Sequence, residues 1–251
     1  MSGQPQTAAV SFFLVRATKF EFEHRFWIIM AIYFAAFALS TVDQTPFIAW
    51  LRHLIVPSIV RGTLDAENFA RSVILIGAGL VFAAVAIRTW GAAYLRTSVV
   101  HDTAQHSEAL VADGPFRYTR NPLYLANLPM AVGIGVLASR AGFLFLVLAN
   151  WILVYRLIFR EEGALLQSQG DSYHAYCRSV PRLWPSLTPR VPASGRFPQW
   201  GQAFAGEGFV WIFGFAELLV AITLRPLIAL IAFPFGLIEH FTVKRWIQKG
   251  G

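Results

Sequence analysis

Long runs without a charged side chain recur along this chain of 251 residues, and they constrain its fold more than any motif does. Phe26 to Val42 is uncharged and lies between Arg25 and Asp43. Ser72 to Ile87 lies between Arg71 and Arg88. Pro122 to Ser139 and Ala141 to Phe159 follow, the second interrupted late by Arg156. A helix needs about 20 apolar residues to cross a bilayer, within a range of roughly 17 to 25. Only 14% of the residues are charged, against about 25% in an ordinary soluble domain. We therefore expect an all-α, polytopic integral membrane protein with five or six transmembrane helices.

The weaker apolar stretches need separate treatment. Phe47 to Val60 is broken by Arg52, His53 and Pro57, so it reads as an interfacial or re-entrant piece. Gly208 to Leu224 is a fifth apolar segment containing one acid, Glu217. Arg225 and Pro226 separate it from a short sixth, Pro226 to Ile238. The pair forms either a hairpin or one kinked helix. Between spans four and five, "TPRVPASGRFPQWGQ" has the proline, glycine and serine content of a linker. Three parts follow: 1–87 with the first spans and the interfacial piece, 88–189 with the polar motifs and a helical hairpin, and 190–251 with the linker and last apolar stretch.

The net charge of +7 raises the question of nucleic acid, but no basic and aromatic repeat supports it. Basic residues at a membrane gather in cytoplasmic loops. Arg88, Arg96, Arg117 and Arg120 precede the third span; Arg160, Arg178, Arg182, Arg190 and Arg196 follow the fourth. If the spans alternate, both groups share one side, which the positive-inside rule makes cytoplasmic. The N-terminus lacks the pattern of a cleaved signal peptide, and the first apolar stretch is expected to insert and stay. A bacterial plasma (inner) membrane, with several passes, is the expected location. One cysteine, Cys177, rules out an intrachain disulfide or a cysteine zinc cluster. His101 and His106 are badly spaced for one helix face, so no metal is expected. "GIGVLA" at Gly133–Ala138 fits a dinucleotide pattern formally, but inside a span it marks close helix packing, as do Gly77 and Gly79. Glu217 and Arg225 are spaced for pairing on one helix. Trp27, Trp151 and Trp211 suit interfacial belts or packing.

Two polar clusters stand out. "GPFRYTRNPLY" brings Arg117, Tyr118, Arg120, Asn121 and Tyr124 to the opening of span three, while Arg156, Arg160, Glu161 and Glu162 close span four. If these spans form a hairpin, its outer ends meet at one interface, and the mixture suits a small zwitterion with an aromatic ring. Taken singly, such residues are more often plain membrane anchors. Arg156 differs, because an ion inside an apolar turn is costly unless paired or near water. Pro122 suits the first turn of a helix, with Asn121 as its N-cap; the free N–H groups there also suit an anionic ligand group.

The motifs, taken together, resemble the isoprenylcysteine carboxyl methyltransferase and phospholipid methyltransferase family of integral membrane enzymes. The family's Gly-Pro-Tyr-Arg-Tyr and Arg-His-Pro-x-Tyr runs correspond to Gly114–Tyr118 and Arg120–Tyr124. Its Glu-Glu pair is Glu161-Glu162, its Tyr-x-x-Tyr segment Tyr173–Tyr176, and its final Val-Pro-Arg run Val180–Pro185, with a weaker echo in "RTWGAAYL" at Arg88–Leu95. Asn121 stands where the family has histidine; it can donate and cap but does not titrate near neutrality.

The resemblance implies S-adenosylmethionine as methyl donor, bound in a pocket at the cytoplasmic face between spans three and four and the polar segment that follows them. Glu161 or Glu162 would hold its ammonium. Arg120, Asn121 and the backbone after Pro122, to Leu125, would hold its carboxylate or ribose. Tyr118 and Tyr124 would line the adenosine pocket. Arg156 or Arg160 would orient the acceptor, with Tyr173 and Tyr176 on its side. The acceptor would be a small lipophilic molecule, O-methylated on a carboxylate and entering from the bilayer. N-methylation of a lipid amine is the close alternative, and a transporter or binding scaffold the distant one. A transporter should carry broken or acidic helices at the midplane and internal symmetry, whereas polarity here concentrates at one interface.

Overall fold

The computed structural model describes residues 16–56, 65–95 and 112–250. Nine α-helices make up the described residues: α1 Lys19–Glu23, α2 Arg25–Ala38, α3 Phe47–Ile55, α4 Ala66–Tyr94, α5 Pro122–Gly135, α6 Arg140–Ser179, α7 Trp200–Gly206, α8 Gly208–Thr223 and α9 Leu227–Gly250. There is no strand among them, so the all-α expectation holds. His101, His106 and the breaker Pro57 lie outside the described residues.

Local chemistry sets the helix starts. Asp65 caps α4 by accepting from Glu67 N, and Ser139 caps α6 by accepting from Gly142 N. Thr18 and Glu21 form a reciprocal capping box on α1. Length then decides what crosses a membrane. Within the described residues, α4 (29 residues) and α6 (40 residues) are long and apolar enough. α7 and α8 make a third span if taken as one, bent by 62° at their break. Arg25–Thr41, α5 and Leu227–Val243 are shorter apolar helices. Five or six spanning helices are therefore not confirmed. The 14 residues of α5 rise only about 21 Å, against a hydrocarbon core of about 30 Å. Exposed apolar side chains on several helices, among them Phe34, Ile76, Leu148, Ile152, Phe215 and Leu230, fit a membrane protein, since a soluble surface rarely carries so much apolar area.

α4 is the central element. It packs on α5 and on α8, α5 packs on α6, and α2 lies along α6. α8 and α9 pack as a hairpin, which decides the alternative left open by the sequence. The turn begins at Leu224, in left-handed backbone with φ 55°, a conformation uncommon for a residue with a Cβ. This break also separates Glu217 from Arg225, and the expected pair between them does not form among the described contacts. α3 is amphipathic, with Phe47 buried and Leu54 and Ile55 exposed, as expected of an interfacial piece. The tight turn between α5 and α6 is clamped by the segment before α3: Phe47 N donates to Ala138 O at 3.0 Å, Arg140 N to Thr45 O at 2.9 Å, and Ala141 N to the Asp43 carboxylate at 2.8 Å. Trp27 and Trp151 are exposed, whereas Trp211 is partly buried and donates to Thr89 Oγ1 at 3.1 Å.

α4 and α5 touch backbone to backbone. A Cβ on Gly133 would lie 2.5 Å from the Gly77 carbonyl oxygen and 2.7 Å from Val81 Cγ2. Gly77 and Gly133 are thus packing glycines, as expected, while Gly79 faces open space and takes no part. Gly133→Ala is expected to destabilise the protein by about 1–3 kcal/mol through overpacking. Gly79→Ala is expected to be neutral or slightly stabilising, since alanine is the better helix former by about 1 kcal/mol. Thermal unfolding of the two variants checks this; equal losses would contradict it.

Candidate functional site

The polar run before α5 is short of regular structure and takes its order from elsewhere. Gly114–Arg117 forms one 3-10 turn. Gly114 has φ +54°, and a side chain there would run into the Tyr94 ring, so both conformation and space call for glycine. From there the run is laced to the segment after α6. Arg120 N donates to Pro181 O at 2.9 Å and Thr119 Oγ1 to Leu183 O at 2.9 Å. Ser186 N donates to Tyr118 O at 3.0 Å, Arg190 N to Arg117 O at 2.8 Å, and Arg117 Nε to Val191 O at 2.9 Å. The proline-rich stretch is a loop, as read from the sequence, yet it is fastened to the motif and crosses the expected boundary at 189.

Asp113 closes this lacing. It is 2% exposed and accepts from Ser194 N at 2.8 Å, from Arg196 N at 3.1 Å and from the Ser194 hydroxyl. Burial pushes its carboxyl up, but these hydrogen bonds and the nearby Arg117 charge outweigh that and hold it below the usual aspartate range.

The expected meeting of the two clusters takes place at Glu162, which is 5% exposed. Asn121 Nδ2 donates to its Oε1 at 3.0 Å and Arg182 Nε to its Oε2 at 2.9 Å, with Arg120 Nε 3.4 Å from Oε1. Asn121 Nδ2 also donates to Arg182 O at 2.9 Å. Asn121 is therefore the N-cap residue of α5 by position, but its side chain makes no cap hydrogen bond; it is spent on Glu162 instead. The Arg182 guanidinium lies 4.7 Å above the Phe159 ring. One turn away from Asn121, the Tyr124 side chain is hydrogen-bonded to Glu161, near the charge of Arg25.

Other candidates have different company. Arg156 is paired with Glu21 of α1 at 2.8 Å, which answers its cost inside the membrane segment. The same contact holds the Glu21 carboxyl below its ordinary range. Arg160 Nη1 donates to Ala17 O at 3.1 Å and its guanidinium lies 5.7 Å from the Phe22 ring. Both arginines thus grip the segment leading into α2. Glu21 was missed from the sequence, although Thr18-x-x-Glu21 is a readable capping signal. Tyr173 and Tyr176 are buried with rings 5.9 Å apart, and the Tyr176 hydroxyl donates to Phe116 O at 2.7 Å; they support the 3-10 turn from below. Tyr118 lies half-buried against Trp90, 5.9 Å between rings. Pro122 is buried at the first turn of α5, and Leu125 packs with Leu128, Val154, Ile158 and Leu183.

A cleft of about 390 Å³ opens beside this region, lined by Ala93, Tyr94, Leu95, Arg196, Phe197 and Gln199. None of the sequence-predicted residues lines it, but Tyr94 and Leu95 belong to the upstream echo motif. For a zwitterionic donor the residue set fits chemically: two acids lie beside one another, and the buried Nε of Arg160 makes no hydrogen bond, leaving a donor for a carboxylate.

Residues 69–171 match the family described as Phospholipid methyltransferase. The chain is also similar to "Nickel-cobalt-cadmium resistance protein NccN" of Alcaligenes xylosoxydans xylosoxydans, 24% identical over 137 residues, covering 54% of this chain and 61% of that protein. It is 27% identical over 101 residues to "Cobalt-zinc-cadmium resistance protein CzcN" of Cupriavidus metallidurans, covering 40% of this chain and 44% of that one. The chain thus spans less than two thirds of either relative. No solved structure matches it.

The Asp113 anchor has a pH signature. Its folded pKa is depressed, so its contribution is present above the unfolded aspartate value of about 3.9 and is lost as pH falls through the lower folded value. Protection of the Ser194 and Arg196 amides from hydrogen exchange, taken relative to their intrinsic rates, is expected to be high at neutral pH and to be lost only below that range. Asp113→Ala should lower that protection at neutral pH and make no further difference once Asp113 is protonated; protection equal to wild type at neutral pH would contradict the anchor.

Proposed function

We propose that this chain, whose residues 69–171 belong to the phospholipid methyltransferase family, transfers a methyl group from S-adenosylmethionine to a small lipophilic acceptor at the membrane surface. The observation that carries the reading is the Asn121–Glu162 contact of 3.0 Å. It joins the entrance of α5 to the distal part of α6 and gathers acids, arginines and a tyrosine in one place.

When bound, S-adenosylmethionine supplies a methyl group already activated on a sulfonium. What the protein then contributes is proximity and alignment, worth up to about 7–11 kcal/mol in ideal intramolecular systems. Glu161, beside the fully engaged Glu162, is the acid for the donor's ammonium. Arg120, whose Nε faces Glu162, serves its carboxylate or ribose through the rest of its guanidinium, together with the first N–H groups of α5. Tyr118 and Tyr124 flank the adenosine. Arg160 Nε is the donor available to orient an acceptor carboxylate, which needs no base, so O-methylation is our first reading. N-methylation of a lipid amine is the second: the hydrogen-bonded Tyr124–Glu161 pair offers a route for the proton an amine must lose.

We further read the laced loops and their arginines as the cytoplasmic face of a bacterial inner membrane, with α2, α5 and α9 embedded beside α4, α6 and α8. In this scheme residues 88–189 form the catalytic core, 1–87 and 190–251 its membrane frame.

Calorimetry on the purified protein in lipid discs tests donor use. The wild type should bind S-adenosylmethionine, and Arg120→Ala and Glu161→Gln should each weaken binding at least about tenfold, about 1.4 kcal/mol, with helix content unchanged. A folded wild type that binds none would remove the enzyme reading. Mass spectrometry of lipids incubated with enzyme and donor, searching for one added CH2, identifies the acceptor.

A further inference from the structure

The C-terminal hairpin lies outside the family match and carries an acid that the reaction does not use. Glu217 sits midway along α8, is 2% exposed, and neither carboxylate oxygen has a hydrogen-bond partner among the described residues. An ionisable group so placed is costly and is kept where it pairs, takes a proton or binds something.

Its surroundings narrow the choice. Glu217 Oε1 lies 2.6 Å from the point where a side chain on Gly77 of α4 would begin, and the Gly133 carbonyl oxygen of α5 lies 3.0 Å from that same point. Val136 Cγ2 lies 2.9 Å from it too, so the bare Cα of Gly77 is closely packed, and it is the lack of a side chain there that lets the acid and the carbonyl end approach each other. Gly133 belongs to the last turn of α5, which tightens so that Val136 N donates to Gly133 O at 3.2 Å. The carbonyl end of a helix carries partial negative charge. A carboxylate facing it in a dry interior is repelled. The neighbouring ionisable groups do not relieve this. Tyr33 of α2 is a phenol and brings no positive charge to Glu217. Arg88 of α4 is held bidentately by Glu207, at 2.6 and 3.1 Å. Arg71 of α4 donates to Ala221 O and Ile222 O at the end of α8. On α9, Glu239 and His240 lie at the opposite end, beside Gly208 and Phe209.

We propose that Glu217 and the carbonyl end of α5, meeting across Gly77, form a buried site for one small cation, a proton or an alkali ion. The chemistry is the same for both: one positive charge shared between a carboxylate and a backbone carbonyl oxygen. Buried sites of this composition, an acid with helix-end carbonyls, suit small cations on general grounds. With the charge in place α8 is drawn to α4 and α5; without it the three helices repel where they pack closest.

Thermal unfolding of the full chain in lipid discs tests this, run from mildly acidic to alkaline pH with sodium, potassium or choline as the only added cation. In choline the wild-type Tm should fall by about 4 °C or more as pH rises, the scale of a loss of one to two kcal/mol in a chain of this size. Restoration by sodium or potassium identifies an alkali ion; no restoration by either identifies the proton. Glu217→Gln keeps the shape and removes the charge, so both dependences should vanish. An identical pH and salt response in wild type and Glu217→Gln overturns the site. Infrared spectroscopy of the wild type needs no variant: a protonated carboxyl band should disappear with rising pH or on adding the alkali ion. Its indifference to both overturns the proposal as well.

Discussion

Glu162 is the buried charge on which the arrangement of this protein depends. A carboxylate removed from water is unfavourable unless its lone pairs are occupied, and here three partners from two distant stretches of chain occupy them: Asn121 and Arg120 from the entrance of α5, Arg182 from the segment after α6. The burial is paid for by bringing those stretches together. Breaking such a pair by removing one partner costs about 3–5 kcal/mol, because the other charge stays buried. The interaction is therefore better understood as fixing where the segments lie than as adding net stability.

The rest of the polar face follows from that anchor. Once residues 120 and 182 are held, the chain on either side runs close enough for the backbone bonds from Thr119 to Arg190 and for the Asp113 closure at Ser194 and Arg196. The Tyr176 hydroxyl on Phe116 O supports the same loop from α6. Loops that carry function need a rigid scaffold beneath them, and here the scaffold is the α4, α5 and α6 packing with its Gly77–Gly133 contact. Arg156 and Arg160 extend the principle to the first helices by seizing Glu21 and Ala17 O.

The sequence made the helical fold and the positions of its apolar segments readable because a charge-free run is a physical requirement of a membrane interior. The number of crossings was less legible, because composition does not reveal that α5 tightens into a 3-10 turn after Gly135 or that α2 gives way to one at Leu39. The joining of Asn121 to Glu162 was legible, since a hairpin of α5 and α6 puts their outer ends side by side. The partners of Arg156 and Arg160 were not, because Glu21 reaches the first from 135 positions away in sequence and Ala17 O the second from 143. Asn121 was read as a cap because its type and place suit one; a buried acid within reach was the stronger acceptor. Nor does a proline-rich loop announce which backbone it will bond.

The claim beneath all of this is that Glu162 couples the two stretches directly. A double-mutant cycle on Asn121→Ala and Glu162→Gln, read by unfolding in lipid discs, measures it. The account predicts that the two losses fall short of additivity by about 0.5–3 kcal/mol, the range for residues in one network. Losses that simply add would mean the two clusters stand independently, and the site assembled here would have no foundation.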